Sequence, residues 1–298
     1  TDDWHKESGR IYRIIPKGTK AHYKDGDLEQ KSNSELIELF KHPNKWVRQR
    51  ASLVLGWRED QSVAPVLEKL INQGSLEALW SLNLLGELKT TNGARWLLHS
   101  DPHIRRWVIR LAGDHHLNIP ELAQIAGNES DIQVRTQIAS TAKRMDPELG
   151  LSMIRGLLSH EADLTDPHQP LLIWWAIESH CDRWAEMQAF LEQDAVWDST
   201  IFTQIVASRL MQRYASTASL EDLQHCAWLL KKALTPEHRK QLTLGLSRAF
   251  EGRSMPPLPE ALSTSLKQYA DQSGNSAVII GLRQGNKESV NESIQQLS

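Results

Sequence analysis

Residues 41–56, KHPNKWVRQRASLVLG, contain the signals that start and end one short amphipathic helix. Pro43 disfavours helix in the residue before it, and with Asn44 it suits the first turn of a new helix. The apolar residues that follow are spaced so that they share one helix face: Val47, Ala51, Val54 and Leu55. Gly56 then permits a tight exit. The stretch predicts a short helix whose apolar face must pack against a neighbour.

The same pattern recurs along the chain, with an arginine directly after the first apolar residue. Three copies have this arginine: Arg48, Arg105 and Arg135. The helix breaker Asp101-Pro102 precedes the second of these helices, and Ser130-Asp131 can cap the third. A further copy lies at residues 74–88, GSLEALWSLNLLGEL, where Glu77 occupies the place expected for arginine. This recurrence indicates a repeat protein.

Shorter apolar segments lie between these helices, so each repeat is predicted to be a pair made of a short and a longer helix. The segments are residues 34–40, 63–71, 94–99 and 120–126. Ser32 and Glu35 make a capping box for the first. Neither helix of a pair can bury its apolar face alone, so neighbouring pairs must stack. The period, the pairing and the arginine at the helix entry resemble the HEAT repeat family.

We therefore predict an all-α protein, a right-handed α-solenoid of about six HEAT-like repeats with a short extended N-terminal arm. The arm comprises residues 1–30, the repeat array residues 31–215, and C-terminal helical pairs or a cap residues 216–298. Beyond residue 150 the rhythm is less regular, and helices are predicted from apolar patterning at residues 147–158, 171–184, 199–214, 221–234, 236–250, 260–272 and 275–297.

The N-terminal part of the chain carries two motifs in tandem. Trp4 and the strand-like residues 9–14, GRIYRI, precede a group at the first repeat: Leu36, Leu39, His42, Pro43, Asn44, Trp46, Val47 and Arg48. In this order they resemble the junction between a β-propeller and a HEAT-like region in large bacterial membrane-bound dehydrogenase-like proteins of planctomycetes and verrucomicrobia. The resemblance is specific over residues 2–58 and generic beyond them.

Members of that family carry a propeller similar to sugar dehydrogenases, a HEAT-like region and a c-type haem domain. The resemblance implies that residues 1–30 are the last propeller strand and a linker. It also implies that the propeller and the haem c domain of the parent chain are partners, and that the location is extracytoplasmic or periplasmic. The haem attachment motif CxxCH is missing from this sequence. No cofactor is therefore expected in this chain, and any dehydrogenase activity would belong to the parent protein.

Charge and apolar run lengths limit the classes of partner expected for this chain. The formal charge is −3 at pH 7 over 298 residues, whereas binding to a phosphate backbone needs a concentrated basic face, so we expect no nucleic acid. No apolar run reaches the length of about 18 residues that a membrane span needs, so no direct membrane insertion is expected. Cys181 and Cys226 are expected to be free and buried.

Three groups of polar side chains are candidates for binding a partner or a metal ion. Arg48, Arg105 and Arg135 either form a basic row for an acidic partner or, as we prefer, hydrogen-bond within and between repeats. The loop of residues 160–168 holds carboxylates and histidines that suit zinc or calcium but match no known spacing, so a solvated loop is preferred. Asp114, His115 and His116 are expected to have a role at a helix end.

A second group is the candidate interaction site: Trp174, Trp175, His168 and His180. Because adjacent residues of a helix point in different directions, one of the two tryptophans is expected in the core and the other at the surface. No catalytic or metal-binding residue is assigned. We expect a non-catalytic scaffold that spaces or docks domains of a larger redox protein. The alternatives are an enzyme or small-ligand site in the concave face of the solenoid, and a general protein–protein adaptor.

Overall fold

The computed structural model describes residues 14, 16–18, 26–269, 275–283 and 285. Every regular element within these residues is helical, so the all-α class is confirmed. Residues 9–13 of the strand-like motif, Trp4 and most of the N-terminal arm, residues 1–30, lie outside the described residues. The same holds for the part of the last predicted helix beyond Arg283.

Seventeen α-helices occur in the described part of the chain. The first nine are α1 Asn33–Glu38, α2 Lys45–Trp57, α3 Ala64–Ile71, α4 Leu76–Leu84, α5 Thr90–Trp96, α6 Pro102–Asp114, α7 Glu121–Ala126, α8 Ile132–Ala142 and α9 Pro147–Leu157. The others are α10 Gln169–Glu178, α11 Trp184–Leu191, α12 Asp194–Asp198, α13 Ala207–Thr217, α14 Leu220–Lys232, α15 Pro236–Ala249, α16 Glu260–Gln268 and α17 Asn275–Arg283.

Polar side chains start the longer helices of the repeat pairs. Asn44, Ser75, Asp101 and Asp131 are the N-caps of α2, α4, α6 and α8, and each accepts a hydrogen bond from a backbone N–H of the first turn. The capping box between Ser32 and Glu35 at α1 is also present, as predicted. These caps define a common numbering for the four helices.

That numbering corrects one sequence assignment. The third residue after each cap is apolar and fully buried: Val47, Ala78, Ile104 and Val134. The next position holds Arg48, Arg105 and Arg135 in three helices, and in α4 it holds the buried Leu79. The residue that stands in place of arginine is therefore Leu79 and not Glu77, which lies two positions earlier in the helix.

The predicted role of Gly56 at a helix end also differs from its observed role. Gly56 lies inside α2, and a Cβ atom added to it would lie 2.5 Å from the Cβ of Leu84 in α4. It therefore permits close packing of two helices, and Glu59 takes the left-handed conformation after α2. Gly86, with φ +70°, does provide the left-handed residue after α4.

The helices contact one another in two series along the chain. In the first, α2 contacts α4, α4 contacts α6, α6 contacts α8, and α8 contacts α10. In the second, α7 contacts α9 and α9 contacts α11. The buried apolar side chains of these helices belong to one continuous core, because each amphipathic helix turns its apolar face towards its neighbours. In the C-terminal part, α13 contacts α15, α14 contacts α16, and α15 contacts α17.

The helices after residue 158 depart from the predicted bounds in two places. The helix predicted at residues 171–184 ends at Glu178, and Trp184 begins α11 after a short turn. The helix predicted at residues 199–214 contains a π-helical segment, Phe202–Val206, before α13. The predicted boundary at residue 215 falls in the last turns of α13, which packs against α15.

Candidate functional site

Arg105 joins two successive helix pairs. Its Nε and Nη2 atoms donate to the two carboxylate oxygens of Glu129, over 2.8 and 2.6 Å. Its Nη1 atom donates to the carbonyl oxygens of His99 and Ser100, over 2.8 and 3.2 Å, in the loop before its own helix. One guanidinium therefore closes the loop that enters α6 and holds the loop that enters α8.

Arg135 and Arg48 repeat this arrangement. Arg135 donates to both carboxylate oxygens of Asp163, over 2.7 and 2.5 Å, and Arg48 donates to Glu77 over 2.7 Å. Each also donates through Nη1 to the carbonyls six and five residues earlier. Each of the three arginines is thus hydrogen-bonded to the loop before its own helix and to a carboxylate outside that helix. We call these three contacts the arginine bridges.

Two of the three arginine bridges are largely shielded from solvent, whereas the side chains of Arg48 and Glu77 in the third are 27% and 17% exposed. The side chains of Arg105 and Glu129 are 14% and 3% exposed, and those of Arg135 and Asp163 are 10% and 4% exposed. Burial alone would raise the pKa of Glu129, but hydrogen bonds from Arg105 and from the Asp131 N–H lower it below its usual value. The pKa of Arg105 is raised, chiefly by its hydrogen bonds to Glu129. These guanidinium charges are neutralised inside the protein.

A partial copy of this arrangement lies near the C-terminal end of the described chain. Arg239 donates to the carbonyl of Ala233, six residues earlier, over 2.6 Å, and its guanidinium lies over the Tyr269 ring. The sequence analysis missed it, although the signal was available. Proline stands three residues before Arg105 and three residues before Arg239.

The end of α6 contacts both neighbouring pairs, as a helix-end role predicts. His115 Nε2 lies 2.8 Å from the Asn83 side-chain oxygen, and His116 Nδ1 lies 2.9 Å from the Arg144 carbonyl. Asp114 forms an ion pair with the Arg144 side chain. His116 has a positive φ of 51° and therefore ends the helix in the left-handed conformation.

The acidic loop of residues 160–168 has no metal-binding arrangement in the described structure. Asp163 is occupied by Arg135, and His160 Nε2 lies 2.9 Å from the carbonyl of Ala126. Glu161 accepts a hydrogen bond from the backbone N–H of Thr200, just before the π-helical segment, and Asp166 accepts two at the start of α10. Across the described residues, no group of three or more His, Cys, Asp and Glu side chains could hold a metal ion.

The four candidate interaction residues are divided between the interior and the surface. Trp174 is 7% exposed and Trp175 is 48% exposed, as expected for adjacent helix positions. His180 is buried, its Nε2 lies 3.0 Å from the Ala142 carbonyl, and burial lowers its pKa. His168 is exposed at the start of α10. Of the four, Trp175 and His168 are therefore the ones accessible to a partner.

A groove of about 320 Å³ lies between α6 and α8, and we call it the α6–α8 groove. Its walls include Arg106, Trp107, Arg110, Gln133, Gln137 and Leu172. No carboxylate belongs to the residues that line it. The Trp107 ring meets the Trp80 ring of α4 edge to face at 5.1 Å, which fixes one wall of the groove.

The two arginines of this groove differ in their partners. Arg110 lies over the Trp107 ring at 5.0 Å and has Asp114 at 3.9 Å. Arg106 is half-buried and has no hydrogen bond or ion pair within the described residues. The sequence analysis did not select it. The available signal was the arginine doublet, since a helix that buries Arg105 in a bridge turns Arg106 to another side.

Two further grooves both have carboxylates among the side chains that line them. A groove of about 500 Å³ between α9 and α11 has an apolar floor that includes Leu151 and Phe190, with Arg155 and Glu186 at its edges. Arg155 is hydrogen-bonded to Gln193 and Ser152, and Glu186 pairs with Arg183. In the third groove, of about 650 Å³, His238 Nε2 lies 3.1 Å from the Thr203 hydroxyl. The Thr203 hydroxyl donates to the carbonyl of Ser199 over 3.1 Å, so its proton already has a backbone acceptor.

The cysteines are free and buried, as expected. Burial raises the pKa of the Cys181 thiol to about 12 and also raises that of Cys226. Neither thiol is thus a thiolate nucleophile at neutral pH. Burial likewise raises the pKa of Tyr214, whose hydroxyl donates to the Cys181 carbonyl over 3.1 Å.

Two further observations concern membrane-spanning helices and similarity to known proteins. Among the described residues, the helices are too short or too polar to cross a lipid bilayer. Comparison of the sequence with models of protein families and with curated proteins, and of the structure with solved structures, gives no match.

Proposed function

We propose that this chain is a non-catalytic scaffold, a right-handed α-solenoid of HEAT-like repeats that spaces or docks other protein domains. The observation that carries this proposal is the set of three arginine bridges. Each bridge links one helix pair to the next by the same chemistry, as expected of a structure assembled from neighbour-to-neighbour contacts. A bidentate guanidinium–carboxylate contact also restricts the relative orientation of two units more tightly than apolar packing alone.

The proposed solenoid is tested by its dimensions in solution. A compact domain of 298 residues has a radius of gyration of about 19 Å. Helix pairs that step along an axis give a larger value and a distance distribution with a long tail. Small-angle X-ray scattering measures both quantities. A value near that of the compact domain, with a symmetric distribution, contradicts the solenoid.

We further propose that the domains it spaces are those of a larger redox protein. Support comes from the resemblance carried by Trp4, residues 9–14 and the first repeat. On that basis the partners are a propeller dehydrogenase domain before the chain and a haem c domain after it, in an extracytoplasmic or periplasmic location. The scaffold would then set the distance over which electrons pass between the two domains.

The redox assignment is tested separately from the fold. The coding sequence on both sides of this segment is read first, and a propeller before it and a CxxCH motif after it are expected. Crosslinking with mass spectrometry of the purified parent protein then maps contacts to this chain. Flanking sequence without either domain contradicts the redox role and favours a general protein–protein adaptor.

A further inference from the structure

The α6–α8 groove differs in charge from the chain as a whole. The protein has a formal charge of −3, yet the groove contains two arginines and none of the chain's carboxylates. Arg106 is half-buried and without an ion-pair partner among the described residues. A cation that is partly removed from water gains most from an anion in direct contact, because the local dielectric constant is lower than in bulk solvent.

The α8 wall of the groove adds neutral donors and acceptors. Gln133, Thr136 and Ser140 line it, and their side chains form no hydrogen bond within the described part of the chain. Carboxamide and hydroxyl groups of this kind suit the alternating N–H and C=O groups of an extended peptide. Trp107 and Leu172 supply apolar surface at the same place.

The combined chemistry favours an acidic peptide over a nucleic acid. Two cations in one groove on a net acidic protein are too few to follow a phosphate backbone, whose binding grows with the number of phosphates neutralised. A single carboxylate, by contrast, matches one planar guanidinium by two parallel hydrogen bonds. The aromatic wall then suits an apolar side chain next to that carboxylate.

We infer that the α6–α8 groove binds an acidic, extended segment of a partner protein, with a carboxylate on Arg106 and an apolar side chain against Trp107. This inference rests on the proposed docking role of the scaffold and specifies the chemistry of its partner. Arg110 contributes less, because Asp114 already lies 3.9 Å from it.

The test uses the full chain and three fluorescein-labelled decapeptides of alternating residues: glutamate–leucine, glutamine–leucine and lysine–leucine. Fluorescence anisotropy is measured at low and at physiological salt. The glutamate peptide is expected to bind most tightly and to weaken as salt rises, because the contact between guanidinium and carboxylate is screened. The lysine peptide is expected not to bind.

Variants assign the binding to the groove. Arg106→Gln is expected to weaken the glutamate peptide by about tenfold, the value of one charge-assisted hydrogen-bonded contact. Arg110→Gln has a smaller effect. The matched control is Arg248→Gln, since Arg248 in α15 is an exposed arginine that also forms no ion pair within the described residues and lies outside the groove. Circular dichroism confirms that each variant keeps its helix content.

Three results overturn the inference: equal binding of the glutamate and glutamine peptides, equal effects of Arg106→Gln and Arg248→Gln, or no binding up to about 1 mM peptide. If the distance distribution from scattering still has the long tail of a solenoid, such a result contradicts the proposed acidic partner but not the proposed scaffold. A radius of gyration near that of a compact domain, together with tight, Arg106-dependent binding, contradicts the solenoid but supports peptide binding in the groove.

Discussion

At the scale of single residues, Arg105 and Glu129 depend on each other. Both oxygens of Glu129 accept from the guanidinium, and the remaining Nη1 atom is used by two backbone carbonyls. Removing two charges from water costs free energy that only good geometry offsets. The pair is therefore best regarded as a device that fixes orientation, and its loss on one side leaves an uncompensated charge.

Glu129→Gln is expected to destabilise the protein by roughly 3 kcal/mol, because Arg105 is then buried without its counter-charge. The matched control is Glu68→Gln, which breaks the more exposed pair between Glu68 and Arg95. That change is expected to cost less than about 1 kcal/mol. Urea unfolding followed by circular dichroism measures both. Equal losses in the two variants contradict a special role for the buried bridge.

The lowered pKa of Glu129 predicts that the free energy of unfolding depends on pH. The pKa of Glu129 is lower in the folded protein than in the unfolded chain, so the unfolded chain binds more protons in acid. Its contribution to stability is present above the ordinary glutamate pKa of about 4.3 and is lost as pH falls through the lower, folded value. The free energy of unfolding of the wild type is thus expected to fall more steeply below about pH 5 than that of Glu129→Gln. Parallel curves would show that Glu129 titrates normally.

At the scale of elements, the crossing of α2 and α4 depends on a missing side chain. Gly56 lies against the side chain of Leu84, and a Cβ atom added there meets the Leu84 Cβ at 2.5 Å. Gly113 has the same role in α6, where an added Cβ meets the Thr141 side chain of α8 at 2.8 Å. The α2–α4 and α6–α8 crossings are thus closer than ordinary side chains allow.

Gly56→Ala is expected to destabilise the protein by about 1–3 kcal/mol, since α2 and α4 must move apart. The gain in helix propensity of alanine over glycine, about 1 kcal/mol, offsets only part of this cost. Gly127→Ala is the control, because the nearest atom to its added Cβ lies 3.7 Å away, an ordinary contact distance. Thermal unfolding should show a lower midpoint for the first variant and little change for the second. A midpoint of Gly56→Ala at or above that of wild type contradicts close packing.

The element scale also shows what the sequence can predict. Apolar spacing and caps located α2, α6 and α8, because these signals act within one helix. Glu77, Glu129 and Asp163 serve as acceptors for the arginine bridges from three different positions relative to the helix caps, so no spacing rule selects them. The role of Gly56 likewise depends on its neighbour Leu84, 28 residues away, and not on its own helix. The arginine doublet indicates that Arg106 faces another side than Arg105. Only the structure shows that Arg106 has no partner within the described residues.

At the scale of the whole molecule, the junction between α4 and α6 differs from its neighbours. The position that holds arginine in α2, α6 and α8 holds Leu79 in α4, so this junction has no arginine bridge. Between α4 and α6 the polar contact is the hydrogen bond between His115 and Asn83, and the aromatic contact is that of Trp80 with Trp107. Beside it, the Trp96 Nε1 atom donates to the Asn72 side chain over 2.8 Å, and Glu68 of α3 pairs with Arg95 of α5 through side chains that are 35% and 53% exposed, more than those of the arginine bridges. In an array of neighbour-to-neighbour contacts, stability is roughly a sum of units and junctions.

The packed helices are therefore expected to separate first between α4 and α6. Native-state hydrogen exchange in low urea should show the amides of α1–α4 exchanging as one group, with a lower free energy of opening than those of α6–α8, which an arginine bridge joins. Arg105→Gln, which breaks the next bridge, should lower the opening free energy of α6 and α8 towards that of the first group. A single opening free energy for α1–α8 in the wild-type protein would mean that all junctions are equally strong, despite the missing bridge.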